Sequence, residues 1–171
     1  MNKKYNIDKY IQTPIEFTDM QNMLSPYFKS QKLRLVLKED FNNVSLEAMF
    51  SDEYAPFVVY FIENQNSNVG HYTLLTWRDQ KTIELFDPAG ITAEIIENEH
   101  PEFYKFCGDY DLCIYFNTTP IQSKNSQTCS RHCIYRAMLC NIGIEDFMKF
   151  YPERKDLTPD EFISCVIRYP K

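Results

Sequence analysis

Short apolar or alternating runs occupy the middle of the chain, and helical patterns flank them. Pro56 to Ile62 carries the continuous run Phe57-Val58-Val59-Tyr60-Phe61-Ile62, the pattern of a strand buried on both faces. His71 to Trp77 and Thr82 to Phe86 read as two more strands around Arg78-Asp79-Gln80. Lys32 to Lys38 alternates, with Leu33, Leu35 and Leu37 on one face, and Asp111 to Asn117 reads as a further strand. Thr13-Pro14-Ile15-Glu16 has the form of a capping box and predicts a helix to about Leu24. Thr158-Pro159-Asp160-Glu161 repeats that form and predicts a last helix to about Arg168. Further helices are expected at Ser45 to Phe50, Thr92 to Asn98, Pro101 to Phe106, Cys129 to Cys140 and Ile144 to Phe150. Asn64 to Gly70 and Thr118 to Thr128 are polar loops. The expected class is α+β, one domain over 1–171, with a small, mostly antiparallel central sheet flanked by helices.

Composition narrows the functional classes. Hydrophobic residues make up 44% and aromatics 15% of 171 residues, which excludes a mainly disordered chain. Gly is only 4, too few for a glycine-rich phosphate loop. Lys+Arg of 18 against Asp+Glu of 24 gives a net charge of −6, the wrong sign for a generic nucleic-acid binder. No run of about 18 apolar residues predicts a membrane span, and the N-terminus lacks the apolar core of a signal peptide. A soluble protein that is not secreted is expected, with its six cysteines as thiols. Lys124, Arg131 and Arg136 are read as a solvated face, and Cys107, Cys113, Cys133, Cys140 and Cys165 as core thiols.

Of the three histidines, His100 sits at an exposed helix junction and carries little weight. His71 opens a strand and Asp87 closes the next one, so a hairpin brings them to its open end. With a three-residue loop, His71 opposes Asp87 and their side chains share a face. With a two-residue loop, His71 opposes Pro88 and Asp87 points to the other face. Cys129 begins a helix, where unpaired N–H groups and the dipole favour a thiolate and can receive an oxyanion. Thiolate, imidazole and carboxylate together would make an activated nucleophile. Zinc is the competing use, but there is no C-x-x-C pair, and Cys129, His132 and Cys133 lack a fourth ligand. No metal and no cofactor is expected.

His71, Asp87, Gln122 and Cys129 follow one another in the order of the adenovirus-type endopeptidase (adenain) family and its wider clan, which includes the SUMO proteases. Gly70-His71-Tyr72-Thr73-Leu74-Leu75-Thr76-Trp77 resembles the family's strand-opening His with a Trp six residues on. Leu85-Phe86-Asp87-Pro88-Ala89-Gly90 resembles its acidic residue followed by Pro and Gly. Gln122-Ser123-Lys124-Asn125-Ser126-Gln127-Thr128-Cys129 is similar to its Gln seven residues before the nucleophile. The resemblance spans roughly 57–140. It departs from the pattern at Ser130-Arg131, where the family usually has Gly after the nucleophile, and at Tyr72, where Trp is frequent. Asp87 is the acid of the SUMO proteases, whereas adenain itself has Glu.

The resemblance implies a cysteine endopeptidase fold, with Cys129 as nucleophile, His71 as acid and base, Asp87 as its orienter and Gln122 as an oxyanion donor. Within the clan, the chain's size, Asp87-Pro88 and the Gln-x-x-Asn-Ser-x-x-Cys spacing favour the viral branch. So does a composition rich in Lys, Asn, Ile, Tyr and Phe, suggestive of an AT-rich genome, which fits a virophage or polinton-like virus. Capsid or other viral precursor proteins would be cut after Gly-Gly or Gly-X, in the virion or the infected host cell. A monomer is expected; adenain is activated by a peptide and by DNA, so the resemblance makes an activating peptide a candidate partner, although the sequence carries no sign of one. The negative charge argues against strong DNA activation. The competing readings are a SUMO or ubiquitin-like-protein isopeptidase, an acetyltransferase effector of the same clan, and a degenerate, non-enzymatic scaffold.

Overall fold

The computed structural model describes residues 7–29, 31–63, 70–152 and 157–168. Its centre is the apolar run of the sequence. Strand β2 (Tyr54–Ile62) lies between β1 (Lys32–Val36) and β3 (His71–Asp79), and β4 (Thr82–Phe86) and β5 (Cys113–Phe116) follow in the order β1-β2-β3-β4-β5. Side chains of a strand alternate between its faces. Phe57, Val59, Leu74 and Phe86 therefore enter one apolar layer, and Val58, Tyr60, Leu75, Ile83 and Leu85 enter another. Both layers are closed by helices, which is why β2 reads as an unbroken apolar run.

The α+β class stands as expected, and the strand pairing differs in part. Only β2–β3 and β3–β4 are antiparallel; β1–β2 and β4–β5 are parallel. The reason is connectivity. Parallel neighbours need a crossover, and the chain supplies two. One runs through a 3-10 turn at Lys38–Asn42 and α3 (Leu46–Met49); the other runs through α4 (Ala93–Glu99) and α5 (Pro101–Asp109).

The first layer packs under α2 (Phe17–Leu24), α6 (Cys129–Met138), α7 (Ile144–Met148) and α8 (Pro159–Val166). A short α1 (Ile7–Ile11) precedes them. At α8 the expected capping box forms: the Thr158 hydroxyl accepts from the Glu161 N–H, and Glu161 accepts from the Thr158 N–H. At Thr13 it does not form, and α2 begins only at Phe17. The Ile15 N–H donates to Ser130 Oγ at 3.0 Å, and the Thr13 carbonyl accepts from Arg131. These tertiary bonds hold Thr13 to Ile15 outside the helix and override the local signal.

Arg131 and Arg136 do not form a solvated face, for both are 1% exposed or less. Arg136 and Arg78 share the carboxylate of buried Glu84, whose other oxygen accepts the Ile144 N–H at 2.9 Å. One acidic residue of β4 thus fastens the end of α6 and the start of α7 to the sheet. The thiols split: Cys107, Cys133 and Cys140 are buried as expected, whereas Cys113 and Cys165 are exposed. Among the described residues, no helix is long and apolar enough to cross a membrane.

Candidate active site

The hairpin register decides where His71 and Asp87 meet; the loop, Gln80-Lys81, has two residues, but the register matches neither of those expected from sequence. Leu74 pairs with Phe86 and Trp77 with Ile83, then a bulge at Arg78 shifts the pairing to Asp79 with Thr82. Continued outward, this register sets Asp87 opposite Thr73. His71 is then its diagonal neighbour on the same face, within reach of a side chain. Past Phe86 the chain turns, with the Gly90 N–H donating to the Asp87 carbonyl at 2.9 Å. The Asp87 carboxylate reaches back, and its Oδ1 lies 2.6 Å from His71 Nε2. The same oxygen accepts the Ala89 N–H at 2.7 Å, which fixes the carboxylate.

Cys129 is the first residue of α6 and is 8% exposed. It lines the same cleft as His71, near enough to act on the charge of the ring. Because Nε2 is engaged by Asp87, Nδ1 is the ring nitrogen left for sulfur. Burial disfavours a charged ring, but the hydrogen bonds and charges of Asp87 and Cys129 outweigh it and push the His71 pKa up to about 10. The ring is therefore an imidazolium at neutral pH, the partner that a thiolate needs.

Gln122 reaches the same cleft. Its backbone N–H and that of Ile121 donate to the Pro88 carbonyl at 2.8 and 2.9 Å, so the turn that carries Asp87 also carries Gln122. The Gln122 side-chain amide donates to the Ser126 carbonyl at 3.0 Å. An amide NH₂ has a second donor beyond the one given to Ser126. No side chain caps the start of α6, so its first N–H groups complete a donor set beside the sulfur. The cleft has a volume of about 940 Å³.

Sequence reasoning misplaced His100 and did not single out Asn117. His100 is not exposed: it is 5% exposed, lines the cleft, and its Nδ1 lies 3.0 Å from the Tyr60 hydroxyl. Burial lowers its pKa. Asn117 was missed; its amide accepts the Asp87 N–H at 2.9 Å and donates to the Asp87 carbonyl at 2.6 Å, which pins the acid's main chain. Its only signal was a polar residue ending an apolar strand, a feature that many strand ends share. Ser130 and Arg131, the departures from the family pattern, hold the N-terminal segment, and Arg131 also donates to the Ile167 carbonyl at 3.3 Å. Among the described residues, no group of three or more His, Cys, Asp or Glu is arranged to hold a metal ion.

At Gly90 the backbone itself leaves no room for a side chain. Its φ is +74°, and a Cβ there would lie 2.7 Å from the Thr118 carbonyl oxygen and 2.9 Å from the Pro120 nitrogen. Both obstacles are backbone atoms, so no side chain can swing away. Gly90→Ala is expected to lower stability by about 2 kcal/mol or more in chemical denaturation. It should also cut turnover by displacing the chain that holds Gln122. A wild-type denaturation midpoint would contradict this.

No protein-family model matches the chain, and no curated protein matches it in sequence. Among solved structures, the chain is similar to the central domain of the uncharacterized Lpg1148 protein from Legionella pneumophila. The identity is 14% and the TM-score 0.44, over 90% of this chain and 86% of that one. It is also similar to a deletion variant of AvrA solved with IP6 and CoA. There the identity is 16% and the TM-score 0.43, over 90% of this chain and 58% of that one.

Proposed function

We propose that the chain is a cysteine endopeptidase acting through Cys129. One observation carries this reading: the His71 ring is bonded to Asp87 at 2.6 Å and faces the same cleft as the thiol that starts α6. In the first step the Cys129 thiolate attacks the scissile carbonyl, and a C–S bond forms. The negative charge on the carbonyl oxygen is received by the Gln122 amide and the Cys129 N–H. The intermediate collapses, the C–N bond breaks, and the His71 imidazolium gives its proton to the departing amine. A thioester remains. His71, now neutral, takes a proton from water as it attacks the thioester; the acid is released, and the thiolate–imidazolium pair returns. Asp87 keeps the ring oriented and favours its charged form throughout. Positioned proton transfer contributes about 10²–10⁴ in rate, and one oxyanion donor about 10²–10³.

The substrate is a polypeptide segment. The cleft lies at the upper end of the usual range of about 300–1,000 Å³, and its lining reaches Lys124 and Glu63. Viral precursor proteins cut after Gly-Gly or Gly-X are the substrates we favour, and the virion or infected cell the place. The support for this is the order and spacing of Gly70-His71, Asp87-Pro88 and Gln122 to Cys129. Incubation of the full chain with a degenerate peptide library, read by mass spectrometry, tests the reading. Internal cuts after small-residue pairs, absent with the Cys129→Ala protein, are expected. Acetylation of protein from acetyl-CoA, or release of ubiquitin-like tails alone with no library cleavage, would overturn it.

A further inference from the structure

The loop between Gln122 and Cys129 is tied to a single carboxylate from the end of the chain. Asp160 lies in the first turn of α8 and is 5% exposed. Its Oδ2 accepts the Ser123 N–H at 2.9 Å. Its Oδ1 accepts from Ser126 Oγ and His132 Nε2, both at 3.1 Å, and from Thr128 Oγ1. Burial works against the charge on Asp160, but the bonds from His132, Thr128 and Ser123 outweigh it and bring its pKa down to about 2. His132 is fully buried, and burial lowers its pKa, so it is neutral. Its Nε2–H donates to Asp160, and its Nδ1 accepts from the Tyr151 hydroxyl at 2.8 Å. The carboxylate therefore keeps its charge, and each donor has a fixed direction.

Two consequences bear on the cleft. Thr128 occupies the N-cap of α6, where a threonine hydroxyl normally accepts a helix N–H. Here the hydroxyl donates to Asp160 and caps nothing, which leaves the first N–H groups of α6 open beside Cys129. Ser126 is held through its hydroxyl, and its carbonyl is the acceptor that orients the Gln122 amide. Both sets of oxyanion donors thus trace back to one carboxylate that touches neither substrate nor thiol.

We infer that Asp160 is a positioning residue for the oxyanion site, holding Gln122 and the start of α6 in place through Ser126 and Thr128. The inference rests on the acyl-transfer reading of Cys129. It separates two activities of one sulfur. Alkylation by iodoacetamide needs the thiolate and its His71 partner but builds no oxyanion. Acyl transfer from p-nitrophenyl acetate needs the oxyanion donors as well. Asparagine at 160 keeps the size but offers one acceptor oxygen and turns an NH₂ toward groups that donate.

The test measures both rates on the full chain. In Asp160→Asn, Cys129 alkylation is expected to stay within about twofold of wild type. Acyl transfer should fall by roughly 10–100-fold, the scale of a misplaced oxyanion donor. Wild-type rates for both would overturn the inference, and so would an equal fall in both, which marks a residue that serves the fold alone. If Asp160→Asn is insoluble, Ser126→Ala cuts the same link and leaves the Ser126 carbonyl in place; the same split is expected, and the same two results would overturn it. A wild-type protein that alkylates like an ordinary thiol, or reacts with iodoacetamide but not with the ester, removes the acyl-transfer reading and the inference with it. A wild type active in both assays confines any failure to Asp160.

Discussion

Cys129→Ala is expected to abolish ester and peptide hydrolysis while the protein stays folded. The sulfur is the only atom in the cleft that the proposed chemistry makes covalent, so nothing replaces it. The neighbouring thiol cannot: Cys133 is fully buried, its Sγ donates to the Tyr72 carbonyl at 3.3 Å, and burial pushes its pKa well up. Removing the nucleophile of a triad costs on the order of 10⁵–10⁶ in turnover. Loss of one sulfur from a position facing the cleft leaves the core intact, because the large buried side chains of both layers lie elsewhere. Burst kinetics with p-nitrophenyl acetate, read beside the thermal midpoint, check both halves. A surviving burst would assign the chemistry to another residue.

Asp87→Asn should be nearly as severe, for an electrostatic reason. Asparagine can still offer one oxygen to His71 Nε2 and to the Ala89 N–H, so the geometry largely survives. The negative charge does not. It is one of the causes that hold the His71 pKa at about 10, and without it burial draws the ring back toward its neutral form. Turnover is expected to fall by roughly 10²–10⁴. The pH dependence moves too. In wild type, turnover is expected to fall as pH rises through about 10, when His71 can no longer protonate the leaving group. In Asp87→Asn that limb shifts to lower pH. Stability follows the same linkage. A histidine raised above its unfolded value of about 6.5 stabilises fully below that pH, and the contribution disappears as pH rises through the folded pKa. Denaturation between pH 6 and 10 should therefore show a stability loss in wild type that is smaller in Asp87→Asn. An unchanged alkaline limb would contradict the role given to Asp87.

The strands and the site differ in how much of them sequence pattern exposes. Apolar runs placed β2, β3 and β4, and a polar residue at each end of one hairpin pointed to His71 and Asp87. The register itself was hidden. It depends on a bulge at Arg78, and Arg78 is drawn to Glu84 and to the Cys140 and Ile142 carbonyls, groups that local sequence does not reveal. The antiparallel β3–β4 pair followed from a short turn, whereas the parallel pairs depended on how the crossovers fold back. Thr13 and Thr158 make the contrast sharpest. Both carry the same capping signal, and only the one free of tertiary competition uses it. Asn117, Ser130, Arg131, His132 and Asp160 act through polar bonds across 28 to 118 residues. Such bonds have no periodicity to read.

The measurement closest to the central claim is the pH dependence of Cys129 alkylation by iodoacetamide, mapped peptide by peptide beside the exposed thiols Cys113 and Cys165. A preformed thiolate–imidazolium pair predicts fast, selective labelling of Cys129 well below the ordinary thiol pKa of about 8.5, lost in His71→Ala. Labelling of Cys129 that rises near pH 8.5 and never outruns Cys113 and Cys165 would contradict the account.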